Sequence, residues 1–500
     1  MGSSKKIVSG VVWSAMVNIV NAVYGFIAAP LLIAYFGKSE YGLIALATSV
    51  NSYMHLMDMG LNSTNVRFFS NWLAKGDKLK VGKLMQTCTA FYAVVGLINA
   101  AILIVVCCFS DTIFNVTPEQ NVILKEILVV LACMAVINWY TSCFNQLISA
   151  SENVAWVQRR NLLAKLLMVG VLLGTLLLKL SLLQFFIGTQ LVTIVILPLS
   201  IRKIRRETPF VSLLAKFDWP TFKEILPYSL NIFSFGIFQF SFYHLRPVFI
   251  GMQCTPDIVT EFNIMNSIVG ITTAVSNVFM SALLPSTSRI VAKGDKSSYY
   301  RVAYQGTKFI SISLSFAALG MVTVCGDLMM VYVGESFMHL IPWLIAWLVF
   351  VVIGNHNQCI SSLILAGTDV RAITRNTIIA AVVGLAVSWF SIPYFKAGGP
   401  VFAYLIYGSI QILFYWLYYW PRKMEISSKK VVFQSLLPYL FLGLIISSSL
   451  RAIPHFENNW LNIFFFGGIY AIFFIIGVWF IMKPEDKQFV FNIVKRRKSH

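Results

Sequence analysis

The sequence predicts an all-α polytopic membrane protein with about 14 transmembrane helices, and three observations carry that expectation. Apolar residues make up 58% of the 500-residue chain and charged residues 12%, about half the charge a soluble surface needs. Mean hydropathy is +0.75, and the 40 Phe, 20 Tyr and 12 Trp suit lipid-facing and interfacial positions. Apolar runs of about 20 residues, long enough to cross the hydrocarbon layer, recur from end to end, and their connections alternate between basic and nearly cation-free.

Taken in order, span 1 lies near 11–35. It follows Lys5 and Lys6, as a leader peptide would, but it is too long and lacks a convincing small-x-small cleavage site, so it is expected to be retained. Span 2, near 41–65, is apolar but carries several polar residues. Spans 3 and 4, near 84–109 and 122–150, flank the longest outer connection, about 110–121, which has no room for a folded domain. Spans 5 and 6, near 161–178 and 182–201, meet at Lys179 in one of the two weakest gaps. Spans 7 to 10 lie near 224–250, 258–285, 302–325 and 337–366. Spans 11 and 12, near 376–395 and 400–420, meet at Lys396 in the other weak gap, and spans 13 and 14 follow near 431–450 and 460–482.

Charge placement orients the chain. Of 39 Lys and Arg, 31 lie in one alternate set of connections that includes both termini, and Lys308 near the start of span 9 makes 32 on that side; the opposite set holds only Lys38, Lys179, Lys396 and Arg451. Basic connections stay on the cytoplasmic side, so both termini are expected there. That sorting accounts for most of the net charge of +19 and makes nucleic acid unnecessary as a partner; anionic lipids remain one. The eight cysteines fall mostly inside spans and read as buried thiols. No HExxH, GxSxG, Walker or CxxC pattern is present, and with short outer loops this disfavours an enzyme. No metal and no cofactor are expected, a coupling ion being left open.

The chain repeats itself. Ala74-Lys75-Gly76-Asp77-Lys78, after span 2, recurs as Ala292-Lys293-Gly294-Asp295-Lys296, after span 8. Ala150-Ser151-Glu152 with Arg160-Asn161 has a counterpart in Ala366-Gly367-Thr368-Asp369 with Arg375-Asn376, and Pro30 matches Pro247. All three pairs share an offset near 217 residues, so spans 1–6 and 7–12 form two parallel repeats, whose facing surfaces bind substrate in transporters. The expected organisation is an N-lobe over 1–201, a basic cytoplasmic linker over 202–222, a C-lobe over 223–420, and spans 13–14 with a basic tail over 421–500.

Polar stripes at helical spacing mark five spans: Ser14, Asn18, Asn21 and Gly25; Thr48, Asn51, His55, Asp58 and Asn62; Asn138, Ser142, Asn145 and Ser149; Asn263, Asn266, Gly270, Thr273 and Asn277; Asn355, Gln358 and Ser362. Such faces avoid lipid; they either glue helices together or line a shared hydrophilic cavity, whose ligands would be hydroxyl-rich groups such as sugars. Two readings stand for Arg246, near Tyr243 and Gln239 on span 7: a cavity cation for phosphate, or an arginine snorkelling to the outer interface. Asp58, the one carboxylate well inside a span, either pairs with His55, binds an ion, or caps a helix end. Lys165, His244 and His356 are weaker candidates.

Several segments carry a family resemblance. Pro30-Leu31-Leu32-Ile33 with Gly37-Lys38-Ser39-Glu40-Tyr41-Gly42-Leu43, then Leu56-Met57-Asp58-Met59-Gly60-Leu61, Arg67-Phe68 and Ala74-Lys75-Gly76-Asp77, resemble the opening of bacterial oligosaccharide flippases. These belong to the exporter superfamily of multidrug, oligosaccharidyl-lipid and polysaccharide transporters (MATE-like). Arg246 to Gly251 is similar to the family's Asp-Arg-x-x-x-Gly pattern, with Leu245 in place of the acid, Pro247 after the arginine, and four residues instead of three before the glycine. The resemblance implies two six-helix lobes, alternating access in the inner membrane, and an undecaprenyl-pyrophosphate-linked oligosaccharide as substrate for surface polysaccharide biosynthesis. Other polysaccharide-assembly membrane proteins are candidate partners. The residues expected to meet substrate are Asn18, Asn21, Asn51, His55, Asp58, Asn145, Gln239, Tyr243, Arg246, Asn266 and Asn277. An ion-coupled exporter of small molecules on the same fold is the alternative, although spans 1 and 7 lack the buried carboxylate such exporters commonly use. A membrane glycan polymerase or ligase is the third reading.

Overall fold

A computed structural model describes residues 2–487 except 152, 294, 367–370 and 485. Helices follow one another along the whole described chain, and no strand occurs among the described residues. Contacts divide the chain into two compact units, one of residues 1–264 with 377–403 and the other of 265–376 with 404–500.

The first unit opens with α1 (Gly2–Phe36), α2 (Lys38–Tyr53), α3 (Leu61–Ala74) and α4 (Lys78–Cys108), followed by the short α5 (Ser110–Ile113). Then come α6 (Pro118–Ala150), α7 (Val154–Leu178), α8 (Leu182–Glu207) and α9 (Trp219–Gln253). Local sequence sets these boundaries. Thr117 and Gln120 form a capping box with Pro118 at the first turn of α6, and Ser181 with Gln184 does the same for α8, each pair satisfying donors that the first turn leaves open. The weak gap between spans 5 and 6 is a tight turn in which Lys179 takes a left-handed conformation, φ 52°. At the head of α9 the Asp218 side chain accepts from the Thr221 N–H and hydroxyl. Those bonds, with Lys83 and Lys216 close by, hold the half-buried Asp218 carboxyl below the usual carboxylate range.

The core of this unit lies between α4 and α6, where Cys88, Tyr92, Val95, Ala135, Trp139, Phe144 and Leu147 are buried together. Tyr92 and Trp139 stack at 5.8 Å between ring centroids, an arrangement that adds specificity to the burial of large aromatic area. Beside it, α1 packs on α7 and α3 on α6, while α9 packs against α2, α3 and α4. At the Lys38 end of α2 several connections interlock. Lys38 pairs with the buried Glu261 at 2.7 Å, Thr260 donates to the Lys38 carbonyl at 2.6 Å, and Gln120 donates to Ser39 at 2.6 Å.

The second unit takes most of α10 (Pro256–Lys293), then α11 (Lys296–Arg301), α12 (Thr307–Thr323), α13 (Cys325–Val333), α14 (Ile341–Asn355) and α15 (Gln358–Ala366). The helix α16 (Arg371–Phe395) falls mostly in the first unit, and α17 (Gly399–Phe414) is shared. The chain closes with α18 (Trp420–Lys423), α19 (Ser428–Lys430), α20 (Leu437–Arg451) and α21 (Asn459–Ile481). Packing centres on α12, which meets α14, α20 and α21; Tyr470 of α21 donates to the Ser315 carbonyl at 2.9 Å. Two polar clusters pin the chain's last part. Lys308 and Asp486, both buried, pair at 2.5 Å. Asp327 accepts from Asn462 and pairs with His455, each at 2.6 Å.

Ten of the described helical stretches are long and apolar enough to cross a membrane, and the bent α9 makes an eleventh. One of the ten, Arg371–Lys423, runs 53 residues, about 80 Å if fully helical and far more than one bilayer needs. It turns at Lys396, whose φ is 49°, and so accounts for spans 11 and 12. Spans 2 and 8 correspond to α2 with α3 and to α10, which places helix at all fourteen sequence-predicted positions.

The expected lobes and the contact units divide the chain at different places. Helix α9 opens the second repeat in sequence, but by contact it belongs with the first six spans. The repeat itself has a local structural counterpart. Asp77 caps α4 through the Lys80 N–H, and Asp295 caps α11 through the Ser298 N–H; Gly294 of that second motif, and 367–369 of the other repeated pair, lie outside the described residues.

Candidate functional site

Span 2 is not a continuous helix. Tyr53 ends α2, Met54–Asp58 form a 3-10 turn, and Met59 and Gly60 both adopt left-handed conformations, φ 51° and 76°, before α3 resumes at Leu61. A break inside a membrane frees backbone groups that must find partners within the protein, and side chains supply them here. The Asp58 Oδ2 accepts from the Asn62 N–H at 3.0 Å, and the Ser229 hydroxyl of α9 donates to the Met59 carbonyl at 2.6 Å. Gly60 is required twice over. Its φ suits glycine, and a Cβ there would sit 2.7 Å from the Ser229 carbonyl oxygen.

The other carboxylate oxygen of Asp58 ends a chain of buried hydrogen bonds. Asn65 donates to Gln146 at 2.9 Å, Gln146 to the Tyr92 hydroxyl at 3.0 Å, and that hydroxyl to Asp58 Oδ1 at 2.5 Å. Three helices, α3, α4 and α6, thus hold one carboxylate, and every donor points toward it. Such a network fixes the side chain's orientation as well as its position.

The break opens onto a cleft of about 740 Å³ within the first unit. Asn51, Asn62, Ser63, Asn99, Asn138, Ser142 and Thr193 line it with amides and hydroxyls, and Trp139, Phe233 and Phe240 line it with ring faces. Its ionisable lining residues are His55 and Asp58; no Lys or Arg appears among the described lining residues. The far wall comes from α9, which bends by 54° between Trp219–Ser234 and Gly236–Gln253, with Gly236, Ile237 and Phe240 facing the cleft. Two interrupted helices therefore border one polar space, as at the binding sites of many transporters. Chemically the cleft offers donors, acceptors and apolar ring faces together, which suits a hydroxyl-rich ligand.

Residues 7–291, more than half of the chain and the whole of the cleft, match the family described as polysaccharide biosynthesis protein. The chain belongs to that family. No protein of curated function matches this chain significantly in sequence. Solved structures do share its fold. The lipid II flippase MurJ in an inward closed conformation superposes with a TM-score of 0.70 at 12% identity, covering 94% of this chain and 100% of the flippase. An inward-facing multidrug resistance MATE family transporter of the MOP superfamily gives 0.64 at 14% identity, covering 88% and 96%. A eukaryotic MATE transporter gives 0.57 at 13% identity, covering 90% and 98%. At these identities the likeness establishes the fold, a flippase and transporter fold, and nothing finer.

Of the residues that the sequence of this family member singles out, the structure brings Asn51, His55 and Asp58 together in the cleft. The others are placed elsewhere. Asn18 is half-buried and Asn21 exposed on α1. Asn145 accepts a hydrogen bond from Arg160. Gln239 and Tyr243 are exposed on α9 and are not among the described lining residues. Arg246 is buried, 3% exposed, with its guanidinium carbon 5.1 to 5.4 Å from the ring centroids of Phe242, Tyr243 and Phe262. Three aromatic rings thus lie within cation–π reach of the guanidinium. Asn266 is exposed in the second unit, and the side chain of Asn277 lies outside the described residues.

Sequence reasoning passed over Asn99, Thr193, Trp139 and the Asn65–Gln146–Tyr92 chain. Asn99 is 2% exposed in an otherwise apolar stretch of α4, and an isolated amide in such a run was the available signal. Gln146 lies four residues after Ser142 and three before Ser149, so it shares the helical spacing of the marked stripe of span 4, but nothing in the sequence pairs it with Asn65 and Tyr92. Among the described residues no cluster of three or more His, Cys, Asp or Glu side chains is assembled.

Proposed function

We propose that this protein is a flippase that moves an undecaprenyl-pyrophosphate-linked oligosaccharide from the inner to the outer leaflet of a bacterial inner membrane, supplying surface polysaccharide assembly. One observation carries the reading. The stretch that matches a polysaccharide biosynthesis family is the same stretch that builds a polar, ring-lined cleft at a broken helix in the apolar part of the chain. A glycan with its pyrophosphate cannot enter hydrocarbon unaided, whereas the polyprenyl tail stays in lipid. A polar cleft removes the head group's barrier without having to enclose the tail.

In this reading the two six-span repeats act as lobes that alternately expose the cleft to each side, with both termini and the basic linker on the cytoplasmic face. The Lys38–Glu261 pair and its neighbouring hydrogen bonds then lie on the outer side, among connections that must separate for the cleft to open outward. Asn51, His55 and Asp58 meet the substrate. Arg246 positions α9 from beneath its aromatic neighbours instead of meeting phosphate in the cleft.

The test is reconstitution of the full chain in liposomes, with transbilayer movement of a fluorescent polyprenyl-pyrophosphate disaccharide measured beside efflux of a cationic dye. The expected result is glycan-lipid movement above protein-free vesicles and no dye efflux. Dye efflux with no lipid movement would replace the flippase by a drug exporter on the same fold.

A further inference from the structure

The cleft's electrostatics carry an inference about which glycans it takes, and this rests on the flippase reading above. Within the low-dielectric part of the chain, the cleft has one carboxylate, Asp58, and one imidazole, His55, with no Lys or Arg among its described lining residues. Asp58 is not a loose charge. Tyr92 donates to one of its oxygens at 2.5 Å and the Asn62 N–H to the other at 3.0 Å, so it faces the cleft as an acceptor held in one orientation. Each oxygen keeps a further lone pair for a ligand.

A carboxylate with both oxygens held in this way accepts from sugar hydroxyls, and more strongly from an ammonium group. It repels a second carboxylate, and repulsion between like charges grows as water is excluded. The rest of the wall supports the same ligand. Asn51, Asn138 and Ser142 both donate and accept, while the half-buried rings of Phe233 and Phe240 suit the apolar C–H faces of a pyranose ring. Nothing described in the wall neutralises an acidic sugar or the pyrophosphate as an arginine fork would.

We propose that this cleft seats the sugar portion of the carrier-linked glycan, with Asp58 as its specificity-determining residue, admitting neutral and amino sugars and rejecting uronic acids. The pyrophosphate remains outside the cleft, toward the lipid headgroups. The inference differs from a general glycan site in assigning the sign of the charge that is excluded and the residue that excludes it.

The experiment uses full-length protein in liposomes and three fluorescent polyprenyl-pyrophosphate disaccharides whose outer sugar is N-acetylglucosamine, glucosamine or glucuronic acid. Wild-type protein is expected to move the first two at comparable rates and the glucuronyl lipid at least about tenfold more slowly, the scale of one charged hydrogen bond gained or lost. Asp58→Asn keeps a side chain able to accept from Asn62 and removes the charge. It is expected to narrow the difference between neutral and glucuronyl lipids to within about threefold and to slow the glucosaminyl lipid relative to the neutral one. Ser142→Lys, which adds a cation to the same wall, is expected to favour the glucuronyl lipid even if Asp58→Asn fails to fold. Equal movement of all three lipids by the wild-type protein would overturn the charge assignment and leave the flippase reading standing. So would an unchanged preference in both variants. Movement of none of the three by the wild-type protein would overturn the flippase reading itself and this inference with it.

Discussion

At the scale of single residues, two positions shape the break in span 2 for opposite reasons. Asp58 is needed for what its oxygens accept, and Gly60 for what it lacks. The contrast between Gly60 and Gly76 makes the second point measurable, since both have left-handed φ, 76° and 71°, yet only Gly60 has backbone within reach of an added Cβ. Gly76→Ala is expected to cost about 1–2 kcal/mol from the conformation alone. Gly60→Ala is expected to cost roughly 2–5 kcal/mol, because the new methyl also collides with the Ser229 carbonyl. Thermal melting in detergent, comparing each variant with the parent, reads the difference; equal costs would mean that α9 does not pack on the break. The composition of the motif around Asp58 was legible in the sequence, but its shape was not. Met59 adopts φ 51° without being Gly or Asn, so nothing in its identity announces a break in span 2. Arg246 was likewise visible as an unusual cation, while its aromatic surroundings depend on Phe262, a residue of the next helix.

At the scale of elements, hydropathy and charge were strong enough to place helix at each of the expected spans. Even the weak gaps at Lys179 and Lys396 are real turns, each with its lysine in the left-handed region. A basic residue between two apolar runs marked each gap, with the Ser181–Gln184 capping pair after Lys179 and Gly398-Gly399-Pro400 after Lys396 as further signals, and one long helix would overrun the bilayer. Less legible were interruptions inside spans, namely the break before α3, the bend of α9, and the turn at His356 and Asn357 between α14 and α15. A hydrogen bond from Ser229 of α9 to the Met59 carbonyl supports the first of these, and a reading of one span at a time cannot contain such a partner. The Lys308–Asp486 pair belongs to the same class, since it joins the start of α12 to residues 178 positions later. Lys308→Met is expected to destabilise the protein by about 3–5 kcal/mol by leaving a buried carboxylate unpaired. The double variant Lys308→Met with Asp486→Leu is expected to recover most of that loss. Melting of the single and double variants decides it, and equal destabilisation in both would mean that the pair contributes through packing rather than charge.

At the scale of the whole molecule, the family match over 7–291 and the structural likeness to a lipid II flippase and MATE transporters agree with what the repeat and the span count imply. Two of the five polar stripes, those of spans 2 and 4, supply lining residues of the cleft, and spacing could not say which stripes share a space. Asn51, Asn138 and Ser142 meet in the cleft, whereas Asn145, on the same stripe as the last two, is taken by Arg160. The central claim is that the glycan sits in the cleft beside Asp58. Photo-crosslinking tests it most directly, using a polyprenyl-pyrophosphate disaccharide with a diazirine on its outer sugar, the reconstituted full chain, and mass-spectrometric mapping of adducts. The expected adducts fall within residues 51–63 and 135–142 and are competed away by the unlabelled lipid. Competable adducts confined to 265–376 and 404–487, with none at the broken span, would contradict the account.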